Sequence, residues 1–182
     1  EDYLTTFRTQ IIKFFPFIHI PSTTSAQQLL QERPFLWHCI MAISSKSTTQ
    51  QLAIGSKIRR TLGRKMLQEF ENDLDLLLGL LAYICWYLII GWYVIATLHV
   101  LVIHTDPFLR ANHQARRKPS LSLFTQLAVS VVFDLGLNKP TAENSHRMFK
   151  LRPPVCPEPS KSTVRTMEER RAVLGCFLVS SL

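Results

Sequence analysis

Apolar residues recur at helical spacing along most of the chain, separated by short polar or proline-bearing stretches. Tyr3, Leu4, Phe7, Ile11, Phe14 and Phe15 fall three or four apart and predict a helix that Pro16 ends. Phe15 to Pro21 then reads as an extended apolar connector between prolines. Ser25 is placed to cap a short helix over residues 26–33. Pro34 suits the first turn of the next helix, where Leu36, Ile40 and Ile43 share a face. After a polar break at residues 44–49, Thr48 with Gln51 has the capping-box spacing and predicts a long helix. Its apolar stripe is Ile58, Leu62, Met66 and Phe70, surrounded by Lys57, Arg59, Arg60, Arg64 and Lys65. Glu69, Glu71, Asp73 and Asp75 close the segment as a solvated helix end, and Leu74 opens an apolar helix expected to finish at Trp86.

Further on, Ser120 or Ser122 caps a helix whose apolar face has Leu123, Leu127, Val131 and Leu135 along one edge, with Phe124, Ala128 and Val132 beside them. Gly136 followed by Leu137 predicts a glycine C-cap with its hydrophobic partner. Residues 138–165 read as a Pro-rich linker, since residues 140–159 hold half of the ten prolines. Thr166 and Glu169 form a second capping box, opening a helix to the end of the chain. Strand alternation is nowhere convincing, so the fold class is all-α, a partial multi-helix domain over residues 1–182.

One stretch breaks this picture. From Leu76 to Ile103 no residue is formally charged, and about 20 apolar residues suffice to cross a bilayer as a helix. Residues 74–86 fit a buried helix of a water-soluble domain. Residues 87–114 have neither caps nor an amphipathic face, and the patterns on either side would join sensibly without them. They are expected to be an insertion foreign to the domain, such as a translated intron. A single-pass membrane protein spanning about residues 76–103 is the competing reading. Membrane association is disfavoured because Lys57 to Lys65 balance Arg110, Arg116, Arg117 and Lys118 across the span.

The chain has 21 basic and 13 acidic residues, a formal charge of +8 and a pI near 9.6, which favours anionic partners. Mean hydropathy is +0.10, raised by the apolar run. Cys39, Cys85, Cys156 and Cys176 make no CxxC pair, and apolar surroundings for three of them suggest free thiols in a reducing compartment. The six histidines are scattered; His99 and His104 are five apart, poor spacing for a metal pair on one helix face. Glycine-rich phosphate loops and nucleophile elbows are absent. Lys57 to Lys65 and Arg116-Arg117-Lys118 could touch phosphates, but solvated helix faces explain them more simply. The chain begins without methionine or a signal peptide, and ends without a helix stop, as a fragment would.

Five blocks carry a resemblance. They are FFPFIHIP with QERPFLWHCIMAISSKS, then QQLAIGSKIRRTLGRKM, LDLLLGLLAYICW, SLSLFTQLAVSVVFDLGLNKP and RTMEERRAVLGCFLVSS. In order and character they resemble the regulatory (middle homology) domain of fungal binuclear zinc cluster transcription factors, over most of residues 1–86 and 115–182. The resemblance implies an all-helical regulatory domain of a sequence-specific RNA polymerase II factor in the nucleus, not an enzyme. DNA contact and zinc would belong to a cysteine-rich module outside residues 1–182, because none of the four cysteines matches the zinc-binding set. A homodimer and a small-molecule effector or co-regulator are further implied partners. No catalytic, cofactor, metal or DNA-binding residue is carried over. A helical metabolite-binding domain of another kind is the remaining alternative.

Overall fold

The computed structural model describes residues 2–102, 120–139 and 165–181, with only the backbone for residues 90–102 and 120. Among the described residues every regular element is helical, as the patterning predicts. The chain starts with α1 (Asp2–Thr6), which widens into a π-helical turn at Phe7–Ile11 and tightens to a 3-10 turn at Ile12–Phe14. Leu4, Phe7 and Phe15 are fully buried, and the Phe7 and Phe15 rings meet 5.8 Å apart. Phe14, expected in the same stripe, is instead 52 % exposed. The wide turn followed by a tight one shifts the rotational register that a regular helix would have kept.

Helix α2 (Ala26–Glu32) is capped by Ser25, whose hydroxyl accepts the Gln28 amide hydrogen at 3.1 Å. Helix α3 (Pro34–Ser44) has Pro34 in its first turn and is buried on nearly every side. It is the hub of the fold, packing on α1, α2, α4 (Thr48–Gly63) and α5 (Leu74–Val102). The cap of α4 is Ser47, one residue before the predicted Thr48. Ser47 has extended backbone and accepts from Gln50, while the Gln51 side chain donates to the Ser45 carbonyl. Ile58 and Leu62 are buried as predicted, but a π-helical continuation at Arg64–Glu69 turns the stripe outward. Phe70 ends it in the left-handed region (φ 54°) and is 79 % exposed.

Leu76 to Leu78 and Leu80 to Ile84 are almost inaccessible, so the first half of α5 is surrounded by protein. Each large side chain buried there contributes about 1.5–3 kcal/mol. Gly79 lets α3 come close: a Cβ there would lie 2.4 Å from the Phe35 ring. The helix does not end at Trp86. It continues to Val102, and Tyr87, Leu88 and Ile89 still pack against the core. A helix buried on one side and unbroken at Trp86 needs no cap there, which is why none is found in the sequence. Residues 103–114 of the expected insertion lie outside the described residues. Within the residues whose side chains are described, which in α5 end at Ile89, no helix is long and apolar enough to cross a membrane.

Helices α6 (Ser120–Asp134) and α7 (Met167–Ser180) pack on each other and on α5. On α6 the buried face centres on Phe124, Ala128, Val131 and Val132; Leu123 is 56 % exposed and Leu127 half-buried, so the face lies one residue round from the predicted edge. The α6 C-terminus closes as predicted. Gly136 (φ 65°) donates its amide hydrogen to Phe133, and Leu137 donates to Val132 while burying its side chain. Most of the Pro-rich linker, residues 140–164, lies outside the described residues. Its flanks are joined: the Arg165 guanidinium donates to the carbonyls of Gly136, at 3.2 Å, and Lys139. The Thr166–Glu169 capping box has both of its hydrogen bonds, at 2.8 and 3.2 Å.

Candidate functional site

An open cleft of about 500 Å3 lies where the connector, α2 and the start of α7 meet. The connector residues His19 to Thr24 build one wall, and Arg8 holds them in place. Its guanidinium donates to the backbone carbonyls of Pro21 and Thr24 (2.7 Å to Thr24), fixing a connector that has no regular structure of its own. The Ser25 cap then turns the chain into α2, which brings Gln28, Glu32 and Arg33 along the second wall. Buried Ile20, Leu29 and Leu36 form an apolar floor. The third wall is the first turn of α7. Arg33 reaches it by donating to the Glu168 carboxylate at 2.6 Å, both side chains a little over one quarter exposed.

Arg171, one turn after Glu168, lines the same cleft and is half-buried. Among the described residues it makes no hydrogen bond or ion pair. Glu32 accepts from Gln28 at 2.9 Å and, among the described residues, meets no cation. The cleft therefore presents one positive and one negative group that are not spent on each other. None of this is readable from spacing, because Arg33 and Glu168 are 135 residues apart.

The carboxylate series at residues 69–75 is not a uniformly solvated helix end. Asp73 caps α5 by accepting the Leu76 amide hydrogen at 2.6 Å and pairs with Lys65 at 3.1 Å. Asp75 is buried and accepts the amide hydrogens of Phe35 (2.9 Å) and Leu36 (2.8 Å). It thus caps α3 from another helix, where Arg33 offers no side-chain cap of its own. Burial pushes the Asp75 carboxyl above its usual range, and the two amides oppose that shift.

The basic face of α4 is largely exposed, but its charges are partly engaged. Arg64 lies 3.7 Å from Glu69, Lys65 pairs with Asp73, and Arg59 reaches the Tyr83 hydroxyl at 3.5 Å. Lys57 and Arg60 are exposed and, among the described residues, make no ion pair, a short positive stripe of the kind a solvated helix commonly carries. Cys39, Cys85 and Cys176 are free, buried thiols. Burial pushes all three up, Cys85 to about 11, so none is a ready nucleophile at neutral pH. Among the described residues no three His, Cys, Asp or Glu side chains gather as a metal site. His104, His113, His146, Cys156 and Arg116 to Lys118 lie outside the described residues, as does the side chain of His99.

The chain is 40% identical to "Transcription factor opdL" of Penicillium oxalicum (strain 114-2 / CGMCC 5302) over 189 aligned positions, which take in the whole of this chain and 29% of that protein. A "Transcription factor" of Aspergillus terreus (strain NIH 2624 / FGSC A1156) is 29% identical over 78% of the chain and 20% of its own length. "Transcription factor himD" of Aspergillus japonicus is 28% identical over the whole chain and 25% of its own length. The chain thus spans less than a third of each of these relatives. No family model matches the chain, and no solved structure matches it.

Proposed function

Starting from homology to fungal transcription factors, we propose that this chain is part of the regulatory domain of a nuclear, sequence-specific RNA polymerase II factor and has no enzymatic role. The 40% identity to a transcription factor across the whole chain carries the reading. The all-helical core supports it, since nearly every informative position serves packing. In this reading DNA is bound by a zinc cluster module elsewhere in the longer polypeptide, and zinc is held there. Residues 1–182 contribute a helical body in which an effector, a co-regulator or a second copy biases two arrangements and so exposes or masks an activation surface.

Residues 87–114 are read in the same proposal as an insertion foreign to the domain. Sequencing the spliced message tests that part separately: a transcript carrying the segment at full abundance rejects it.

The functional test is Leu77→Asp in the full-length factor, compared with gene deletion and wild type by whole-transcriptome measurement. Leu77 is completely buried, so the variant disrupts the body without touching any exposed contact. Altered expression of a defined gene set, either lost or constitutive, is expected. A transcriptome identical to wild type in both the variant and the deletion strain sinks the reading.

A further inference from the structure

We propose that the cleft between α2, the connector and α7 binds a small zwitterion, an α-amino acid with an apolar side chain. Three observations converge on this class. The floor is apolar and buried (Ile20, Leu29, Leu36), suited to a hydrocarbon or aromatic body. Arg171 and Glu32 offer one charge of each sign and do not pair with each other or with a charged neighbour among the described residues. The remaining charged pair, Arg33 and Glu168, is already internally neutral. A monoanion would leave Glu32 repelling it, and a monocation would leave Arg171 uncompensated. A molecule bearing both charges satisfies both. Its carboxylate would take the planar fork of Arg171, its ammonium group the Glu32 carboxylate, and its side chain the floor.

The volume is in the range that holds small organic ligands. The walls also give binding a structural consequence. One side is connector and α2, the other is α7, and among the described residues Arg33–Glu168 is the ion pair that joins them. A ligand spanning Glu32 and Arg171 adds a second tie between the same parts, so occupancy would stabilise α7 on the domain. The proposal deepens the effector element of the regulatory reading and rests on that reading only for its biological meaning. Binding itself is measured without DNA, so its failure leaves the transcriptional assignment standing.

Isothermal titration calorimetry of the purified full chain with L-leucine, L-methionine, L-phenylalanine and L-tryptophan tests it, alongside 3-phenylpropanoate and phenethylamine as analogues lacking one charge. At least one amino acid is expected to bind and to raise the melting temperature. Each single-charge analogue is expected to bind about tenfold more weakly than phenylalanine or worse, the loss that follows from removing one charge-assisted hydrogen bond. Arg171→Ala should abolish binding while melting like wild type without ligand, because among the described residues Arg171 has no ion pair to lose. Glu32→Gln keeps an acceptor for Gln28 and should weaken the amino acid without weakening 3-phenylpropanoate; it serves alone if Arg171→Ala fails to fold. Absence of binding by all four amino acids overturns the proposal. So does 3-phenylpropanoate or phenethylamine binding as tightly as phenylalanine, or unchanged binding in either variant.

Discussion

Asp75 on α5 accepts the backbone amide hydrogen of Leu36 on α3 at 2.8 Å, and the same carboxylate takes the Phe35 amide at 2.9 Å. One helix thereby supplies the cap that its neighbour's own sequence lacks. The bond fixes both the rotation and the height of α3 against α5, around which the other helices assemble.

Replacing that acceptor should be costly. Asp75→Ala leaves two buried amides unsatisfied and is expected to lose about 2 kcal/mol in urea unfolding. Asp75→Asn keeps one acceptor and should lose about half as much. A wild-type midpoint for the alanine variant would contradict the cap.

The same residue sets a pH dependence of definite sign. Its folded pKa is raised, first by burial, so the folded chain holds this proton more tightly than the unfolded chain, whose carboxyl titrates near 3.8. The ionised form is penalised at neutral pH. That penalty is relieved as pH falls through the folded value, and fully so below 3.8. Relative to Asp75→Asn, wild type should gain stability on acidification across this window. The comparison cancels contributions from Asp73 and Lys65 nearby, and a difference that shrinks instead would refute the burial effect.

Two glycines should respond oppositely to alanine. At Gly79 the new methyl meets the Phe35 ring at 2.4 Å, and Phe35 is too buried to retreat. Gly79→Ala should cost about 1–2 kcal/mol net of its better helix propensity. Adding Phe35→Leu should recover part of the loss. At Gly63, at the end of α4, nothing lies within 4 Å, and Gly63→Ala should gain about 0.5–1 kcal/mol. Thermal melts of the four proteins decide it.

Phe70 and Gly136 make a second opposed pair, this time through backbone conformation. Phe70 holds a left-handed φ with its ring mostly in water, so Phe70→Gly should stabilise by about 1 kcal/mol. Gly136→Ala should destabilise by about the same amount, since its site is open and only the left-handed φ opposes a side chain.

Core depth predicts how severe a buried charge will be. Leu77→Asp should cost more than about 4 kcal/mol and unfold the domain, whereas Leu127→Asp, at a half-buried edge of α6, should cost about 1–2 kcal/mol. Equal melting temperatures for the two would mean that the face of α6 has been placed wrongly.

Local signals in the sequence were reliable where the physics is local. Ser25, Pro34, Thr166 with Glu169, and Gly136 with Leu137 act on atoms within a few residues, and all sit where the pattern puts them. Thr48 was displaced by its neighbour because two adjacent hydroxyls compete for one capping role. Phe14 and Phe70 departed from their stripes because π-helical turns change the residues per turn, which an assumed 3.6 spacing does not register. Asp75 and the Arg33–Glu168 bridge were illegible for another reason. Their partners are 39, 40 and 135 residues away, so Asp75 looked like one more solvated acid and the cleft had no linear signature at all.

The clasp made by Arg165 has a consequence for how this gene can change. With Gly136 and Lys139 held to Arg165, the end of α6 and the start of α7 are pinned side by side. A substitution at Arg165 therefore falls on a contact that two helices share, and a neutral side chain there leaves the carbonyls of Gly136 and Lys139 without their guanidinium donor. Descendants that lose the guanidinium at this position must hold α6 and α7 together through their packed faces alone.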